Sequence, residues 1–142
     1  MSDNQIRNLL HQVQLSHLED VLGSFDNRFS EDWQKMLSPG EQQRLMFTRI
    51  LYWKPRFAGM WKGSMGRKMT YIVLVLDEAT SAMDANAETH LYSLITEMDI
   101  AIISISHHPS IVHYHNKTVT LDGEGGYSVN STGSSSKHDS PF

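Results

Sequence analysis

The chain of 142 residues has no cysteine and no long apolar run. Without cysteine there is no disulfide, no thiolate nucleophile and no cysteine-based metal site, which fits a reducing compartment. The longest apolar stretch, residues 71–76, is far shorter than the roughly 20 residues of a membrane-spanning helix. The polar start MSDNQIRN is unlike a signal peptide. By itself the sequence therefore predicts neither a membrane span nor secretion.

Strong charge of either sign is also missing. The formal net charge is -4, which gives no reason to expect a nucleic-acid partner. Apolar residues make up 39% and charged residues 20%, a composition typical of a globular segment. The length suits one domain or part of one.

The first half of the chain is predicted to be helical. Apolar residues recur at spacings of three and four over residues 5–23, which predicts one amphipathic helix or two short ones that end at Gly23. After a polar loop, another helix is expected over residues 41–53, until Lys54 meets Pro55. Ser38 stands at the position of its N-cap.

The second half is predicted to alternate strand, helix and strand. TYIVLVL, which ends at residue 76, is typical of a central parallel strand covered on both faces. A helix is expected over residues 85–98 and a second buried strand over residues 100–105. This order indicates an α/β fold with a parallel crossover. A short strand at 117–121 and a turn, DGEGG, follow, and residues 128–142 are predicted to be a disordered tail.

Two acidic residues, Asp77 and Glu78, follow the first predicted strand. Carboxyl ends of parallel strands form the crevice where open α/β sheets bind ligands. There Asp77 can hold Mg²⁺ through water, and Glu78 can polarise an attacking water. Taken alone, the pair is better explained by a solvated acidic turn.

LSPGE at residues 37–41 and His107 after the second strand suit the same chemistry. The Ser38 side chain, the Gly40 N–H and the positive end of the following helix suit an anion such as a terminal phosphate, and glycine leaves room for close approach. A histidine at the strand end can bridge a phosphate oxygen and a carboxylate. Alone, each is an ordinary helix start or an exposed strand end.

Taken in order, these motifs resemble the ATP-binding cassette family. LSPGE resembles the family's signature motif, usually LSGGQ. LVLDEATSAMD at residues 74–84 resembles the Walker B strand followed by the D-loop, and SISHHPS at 104–110 resembles the switch-histidine region. The resemblance runs from about residue 9 to residue 129. It implies a partial P-loop NTPase fold, with a helical subdomain followed by parallel strands and a crossover helix.

The resemblance implies that ATP and Mg²⁺ are the cofactors. The signature, with Ser38, Gly40 and Glu41, would contact the γ-phosphate of ATP held by the opposite subunit. His107 would contact the γ-phosphate within its own subunit.

The resemblance also assigns roles to the three acidic residues that follow the first strand. Asp77 would act on Mg²⁺, Glu78 would orient or deprotonate the water, and Asp84 would couple the two sites. Catalysis of this kind depends on positioning and charge stabilisation.

Two longer stretches resemble subfamily D. They are DWQKMLSPGEQQRLMFTRILYWKPRFA and SISHHPSIVHYHNKTVTLDGEGGYSV. This subfamily contains half-transporters of peroxisomal and lysosomal membranes that move fatty acyl-CoA or assist vitamin B12 export. The resemblance implies a second half-transporter subunit as partner and a domain that faces the cytosol. LSPGEQQR is closer to the lysosomal member and DGEGGY to the peroxisomal ones, so the choice stays open.

The sequence departs from the family in what it lacks. It contains no G-x-x-x-x-G-K-[ST] loop, the Walker A motif that cradles phosphates, and neither a glutamine loop nor a transmembrane domain is visible. We therefore expect that the chain does not hydrolyse ATP alone. We expect residues 1–127 to be the carboxyl-terminal portion of a nucleotide-binding domain, with the helical subdomain at about 5–56 and the Walker B to switch-histidine core at 75–127.

A second departure is an atypical insert at residues 59–74. Its start, GMWKGSMGRK, is glycine-rich and basic and predicts a loop. Deleting the insert leaves KPRFAVLDEATSA, the join usual in the family. A retained intron or gene-model error explains it better than a functional loop, and either reading leaves the end of the strand unchanged.

Two other functions stay open beside the transporter hypothesis. One is a soluble cassette protein of repair or translation, which has no membrane helices. The other is a truncated product that binds full-length subunits by offering a signature without a phosphate loop.

Overall fold

The computed structural model describes residues 1–26, 33–61, 73–98 and 100–132. The chain divides into two compact units, Met1–His107 and His108–Phe142, and each is described by itself. The helices of the first unit are α1 (Asp3–Gln12), α2 (Leu18–Leu22), α3 (Trp33–Met36), α4 (Pro39–Trp61) and α5 (Ala85–Thr96), and its strands are β1 (Val73–Asp77) and β2 (Ala101–Ile105). The second unit has a 3₁₀ helix (Pro109–Tyr114) and strands β3 (Lys117–Leu121) and β4 (Tyr127–Ser131).

The predicted helical start of the chain is confirmed in its two-helix form. Ser2 and Gln5 form a capping box that begins α1, and Gly23, with φ of 65°, ends α2. Between the helices, Gln14 also has a positive φ of 59°. Such a left-handed residue ends a helix, because it turns the chain out of the helical path. The polar loop predicted next lies partly outside the described residues, at 27–32.

Helix α4 begins where the sequence predicts and ends later than predicted. The expected stop at Lys54 and Pro55 is wrong, because α4 continues to Trp61. Proline removes one backbone donor and strains one turn, at a cost of about 3 kcal/mol, and it does not prevent the later residues from bonding to their own partners. The short helix α3 is not predicted by the sequence.

The parallel pair of strands confirms the α/β prediction. Strand β1 pairs with β2 in register from Val73 opposite Ala101 to Asp77 opposite Ile105, and α5 connects the two strands. The Tyr92 hydroxyl donates to Ser104 Oγ at 2.9 Å, which ties α5 to β2. Burial raises the pKa of Tyr92 above its ordinary value, so the phenol stays protonated.

The prediction that these strands are covered on both faces is wrong. Leu76 is only 5% exposed, but apolar side chains on the opposite face are about half exposed, from 51% to 59%. They are Val73, Val75, Ile103 and Ile105. An apolar strand is suited to burial, but only the neighbouring elements decide whether it is covered.

The core of the first unit is formed largely by its helices. Its most deeply buried apolar side chains come from α4, α5 and the turn after α1. The largest of them are Phe47, Leu15, Leu91, Tyr92 and Ile95. No helix in the described ranges is long and apolar enough to cross a membrane.

The second unit contains an antiparallel hairpin, of which β3 and the DGEGG turn were predicted. Asp122 Oδ1 accepts from the N–H groups of Glu124 and Gly126 at 2.8 and 2.9 Å, and β3 pairs with β4 along its length. The predicted disordered tail at 128–142 is therefore wrong for residues 128–131, which form β4. Pairing satisfies the backbone of these exposed residues without requiring burial. Residues 133–142 lie outside the described residues.

The proposed insert at 59–74 is described only at its two ends. Residues 59–61 belong to α4, so the predicted loop is wrong there, and residues 73 and 74 begin β1. Residues 62–72 lie outside the described residues.

Candidate functional site

Glu78 and His107 meet beyond the parallel strands. Glu78 follows the last residue of β1 and has a positive φ of 49°, which is uncommon outside glycine. Its N–H donates to the Ile105 carbonyl at 2.9 Å, so β2 holds it. His107 Nε2 lies 3.3 Å from Glu78 Oε1. The two side chains are 93% and 39% exposed, so this open pair adds little stability and is accessible to a ligand.

Asp77, the last residue of β1, is exposed beside this pair. The described residues contain no group of three or more histidine or acidic residues placed to hold a metal ion. Mg²⁺ accepts one carboxylate together with waters and phosphate oxygens.

The start of α4 is a capping box made by Ser38 and Glu41. The Ser38 hydroxyl donates to Glu41 Oε2 at 2.7 Å, the Ser38 N–H donates to the same oxygen at 2.9 Å, and Glu41 N–H donates to Ser38 Oγ at 3.3 Å. His17 Nε2 lies 2.8 Å from Glu41 Oε1. Hydrogen bonds from the Ser38 hydroxyl and then the Ser38 N–H, with His17 adding less, hold the pKa of Glu41 below its ordinary value. The predicted N-cap at Ser38 is therefore present.

Gly40 contacts the loop that follows Glu78. A β-carbon on residue 40 would stand 2.7 Å from the carbonyl oxygen of Ala82. The sequence pattern predicts a glycine here because it leaves room for the close approach of a phosphate. The structure adds a second reason, which is that the backbone of Ala82 needs the space.

Gln43 also joins α4 to this loop, and sequence reasoning missed it. Its Nε2 donates to the Glu78 carbonyl at 3.2 Å and to Ser81 Oγ at 3.0 Å, and its Oε1 accepts from Ala82 N–H at 2.9 Å. The spacing of three residues from Gly40 places both on one face of the helix. That spacing is the one feature of the sequence that pointed to Gln43.

Asp84 is the N-cap of α5. Its Oδ1 accepts from the N–H groups of Asn86 and Ala87, each at 3.0 Å. The Ala87 N–H, with smaller contributions from the Asn86 N–H and the Arg44 charge, holds the pKa of Asp84 below its ordinary value. The carboxylate is exposed and charged at neutral pH.

The loop from Glu78 to Asp84 is anchored to α5 by a buried hydrogen bond. Thr80 Oγ1 donates to Glu88 Oε1 at 2.7 Å, and the two residues are only 1% and 2% exposed. A buried polar group needs such a partner, so this bond fixes the path of the loop. The structure thus brings Gly40 and Gln43 of α4 to a loop that begins at Glu78 and ends at Asp84.

The chain is similar in sequence to several proteins whose names place them in one subfamily. No protein-family model matches the chain. The lysosomal cobalamin transporter ABCD4 of Mus musculus is 34% identical over 89% of this chain, and ATP-binding cassette sub-family D member 3 of Rattus norvegicus is 32% identical over 89%. ABC transporter D family member 1 of Arabidopsis thaliana is 37% identical over 79%. The chain spans only 18%, 16% and 7% of the lengths of these three relatives.

A solved structure is also similar, but weakly. It comes from work on ATP-driven dimerization and DNA-stimulated activation of SMC ATPases, and it is 14% identical. It aligns over 93% of this chain and 90% of that chain, with a TM-score of 0.46. This likeness is too weak to support a conclusion.

The similarity to these relatives shows that the chain belongs to the ATP-binding cassette family. Within that family the sequence is of the subfamily D type, as all three relatives named above are.

Proposed function

We propose that the chain forms part of the ATP-binding and ATP-hydrolysing domain of a subfamily D transporter. The observation that carries this proposal is the position of Glu78. Its side chain lies 3.3 Å from His107, and its carbonyl accepts a hydrogen bond from Gln43 of α4, the helix that begins in the LSPGE motif. The loop that begins at Glu78, the candidate base, is thus hydrogen-bonded to α4, whose start is the candidate phosphate-binding site.

The start of α4 is the proposed binding surface for ATP held by an opposite subunit. Ser38, Gly40 and Glu41 lie at the positive end of a long helix, where the helix dipole favours an anion and the Gly40 N–H can donate to it. The Ser38 hydroxyl is directed at Glu41 by a 2.7 Å hydrogen bond. Binding of a phosphate through Ser38 requires this hydroxyl to rotate away from the carboxylate.

The end of β1 is the proposed half of a second site, for ATP of the chain's own subunit. Asp77 would hold Mg²⁺ through water, and the ion, when bound, supplies charge stabilisation to the transferring phosphoryl group. Glu78 would orient or deprotonate the water, and His107 would contact the γ-phosphate. Asp84, held by its cap bonds at the end of the same loop, would couple the two sites.

The proposed partner is a second half-transporter subunit, which supplies the phosphate loop for the nucleotide that meets Ser38. The proposed location is the cytosolic side of a peroxisomal or lysosomal membrane. A fatty acyl-CoA or a cobalamin-related compound is the proposed cargo, the latter because one relative is named a lysosomal cobalamin transporter. The relatives named as transporters favour this function over the soluble-cassette alternative.

The proposal is tested by association that depends on nucleotide. The chain is mixed with the nucleotide-binding domain of a subfamily D relative that has a phosphate loop, and the mass of the complex is measured by analytical ultracentrifugation. We expect ATP and Mg²⁺ to increase association and Ser38→Arg to abolish the increase. Ser2→Arg is the matched control, because Ser2 forms the same kind of capping box at the start of a different helix, α1. Association that ignores ATP, or that survives Ser38→Arg, contradicts the proposal.

A further inference from the structure

Gln43 uses both ends of its side-chain amide to hold the loop that carries Glu78. The donors and acceptors leave no choice in the orientation of the amide. The Ala82 N–H can only donate and the Glu78 carbonyl can only accept, so Oε1 faces the first and Nε2 the second. The Gln43 Nε2 also lies 3.0 Å from Ser81 Oγ. Three hydrogen bonds thus join α4 to residues that are 35 to 39 positions away in the chain.

Few other side chains can replace this glutamine. A glutamate has the same length but cannot donate when ionised, and a lysine cannot accept. Leucine has a similar size and does neither. Asparagine is one methylene shorter, so it does not reach the loop from the same backbone position. The site therefore selects a side chain of this length that both donates and accepts.

The residue that Gln43 holds is itself conformationally unfavourable. Glu78 has a positive φ of 49°, and a non-glycine residue in this region persists only when its surroundings hold it there. Its N–H is held by the Ile105 carbonyl of β2, and its carbonyl by Gln43 of α4. Both peptide groups of the candidate base are thus fixed by different elements.

We infer that Gln43 is a positioning residue that sets the backbone of Glu78 relative to the start of α4. The functional consequence of this positioning rests on the proposed function. If a phosphate binds at Ser38 and Gly40, movement of α4 reaches Glu78 through Gln43, one helical turn away. Gly40 reinforces the link, because its close approach to Ala82 lies on the same face of the helix.

The test uses the intact chain without nucleotide. Amide hydrogen exchange at Ala82 and the ring resonances of His107 are recorded by NMR for Gln43→Leu and Gln43→Glu. Gln42→Leu is the matched control, because the neighbouring Gln42 donates to the Leu37 carbonyl at 2.8 Å, at the start of its own helix.

In Gln43→Leu we expect exchange at Ala82 to rise about tenfold, as the loss of one ordinary hydrogen bond predicts. The His107 resonances should move as well, because Glu78 shifts. In Gln43→Glu the acceptor remains and the donor is lost, so Ala82 should stay protected while the His107 resonances move. In Gln42→Leu neither should change.

Unchanged exchange at Ala82 and unchanged His107 resonances in Gln43→Leu overturn the inference. If Gln43→Leu does not fold, Gln43→Glu decides, and unmoved His107 resonances in that variant overturn it. Since this experiment contains no ATP, its failure is distinct from failure of the proposed function, which the association measurement detects. If ATP does not increase association of the wild-type chain, the proposed function is contradicted, and the positioning role of Gln43 is unaffected.

Discussion

The carbonyl oxygen of Ala82 stands 2.7 Å from the place that a β-carbon on Gly40 would occupy. Alanine is favoured over glycine within a helix by about 1 kcal/mol, so propensity alone predicts that Gly40→Ala stabilises α4. The contact with a backbone atom reverses this, because neither the helix nor the anchored loop can move freely. We expect Gly40→Ala to lower the free energy of unfolding, measured by urea denaturation. Met46→Ala, at an exposed position of the same helix, is the control, and equal or raised stability in Gly40→Ala would refute the argument.

Removing the Ser38 hydroxyl should affect both the helix and the charge of Glu41. Ser38→Ala is expected to cost about 1 kcal/mol as the loss of an N-cap. It should also raise the pKa of Glu41 toward its ordinary value, because the hydroxyl is the largest cause of the lowered pKa. Carboxyl ¹³C NMR titration measures the second effect. Ser2→Ala removes the comparable cap of α1 and should leave the pKa of Glu41 unchanged.

The lowered pKa values of Glu41 and Asp84 predict a loss of stability in acid. A carboxyl group whose folded-state pKa lies below its unfolded value contributes stability above the unfolded value, and this is lost as pH falls through the folded value. We expect stability to fall below about pH 4.5, near the ordinary value for a glutamate. Asp84→Asn keeps an acceptor for the α5 cap and removes the charge, so its acid slope should be shallower. Identical slopes in Asp84→Asn and the wild-type chain would contradict this.

The two faces of β1 should differ in their sensitivity to truncation. Leu76 is 5% exposed, so Leu76→Ala should cost about 2–5 kcal/mol through lost burial and a cavity. Val75 is 59% exposed, so Val75→Ala should cost much less. Thermal unfolding of the two variants compares neighbouring residues of one strand. A larger loss for Val75→Ala would show that its face is covered.

The chain by itself should show no measurable ATP hydrolysis, because its sequence has no loop to cradle the phosphates. Phosphate release is measured for the purified chain and for Glu78→Gln, which keeps the side-chain size and removes the carboxylate. We expect the two to be equal at background. Turnover that disappears in Glu78→Gln would disprove this prediction.

Local features of the fold were predictable from the sequence. The start of α4 was, because a capping box involves residues three positions apart. The helical start of the chain and its end at Gly23 were predicted too, but the sequence left open whether it forms one helix or two. The end of α4 was not, because a proline weakens a helix without deciding whether later turns form. The β4 strand was missed for a related reason, since its pairing with β3, and not its composition, forms it.

Within the candidate site, the sequence led to one of the contacts and missed the hydrogen bonds of Gln43 to the loop after Glu78. The strand-end position of Glu78 and His107 led to the expectation that they face one crevice, and the structure places them 3.3 Å apart. The roles of these residues and of Ser38, Asp77 and Asp84 toward ATP and Mg²⁺ remain predictions.

By itself, the sequence determined the order of the motifs, the resemblance to the cassette family and the α/β alternation, because periodicity, caps and motif spacing act over a few residues. Only the tertiary structure decided that the Ala82 carbonyl lies close to Gly40 and that Gln43 is hydrogen-bonded to the loop after Glu78. It also decided that one face of strands β1 and β2 is exposed. These relationships join or cover residues far apart in the chain. They depend on how the elements pack, which no local pattern records.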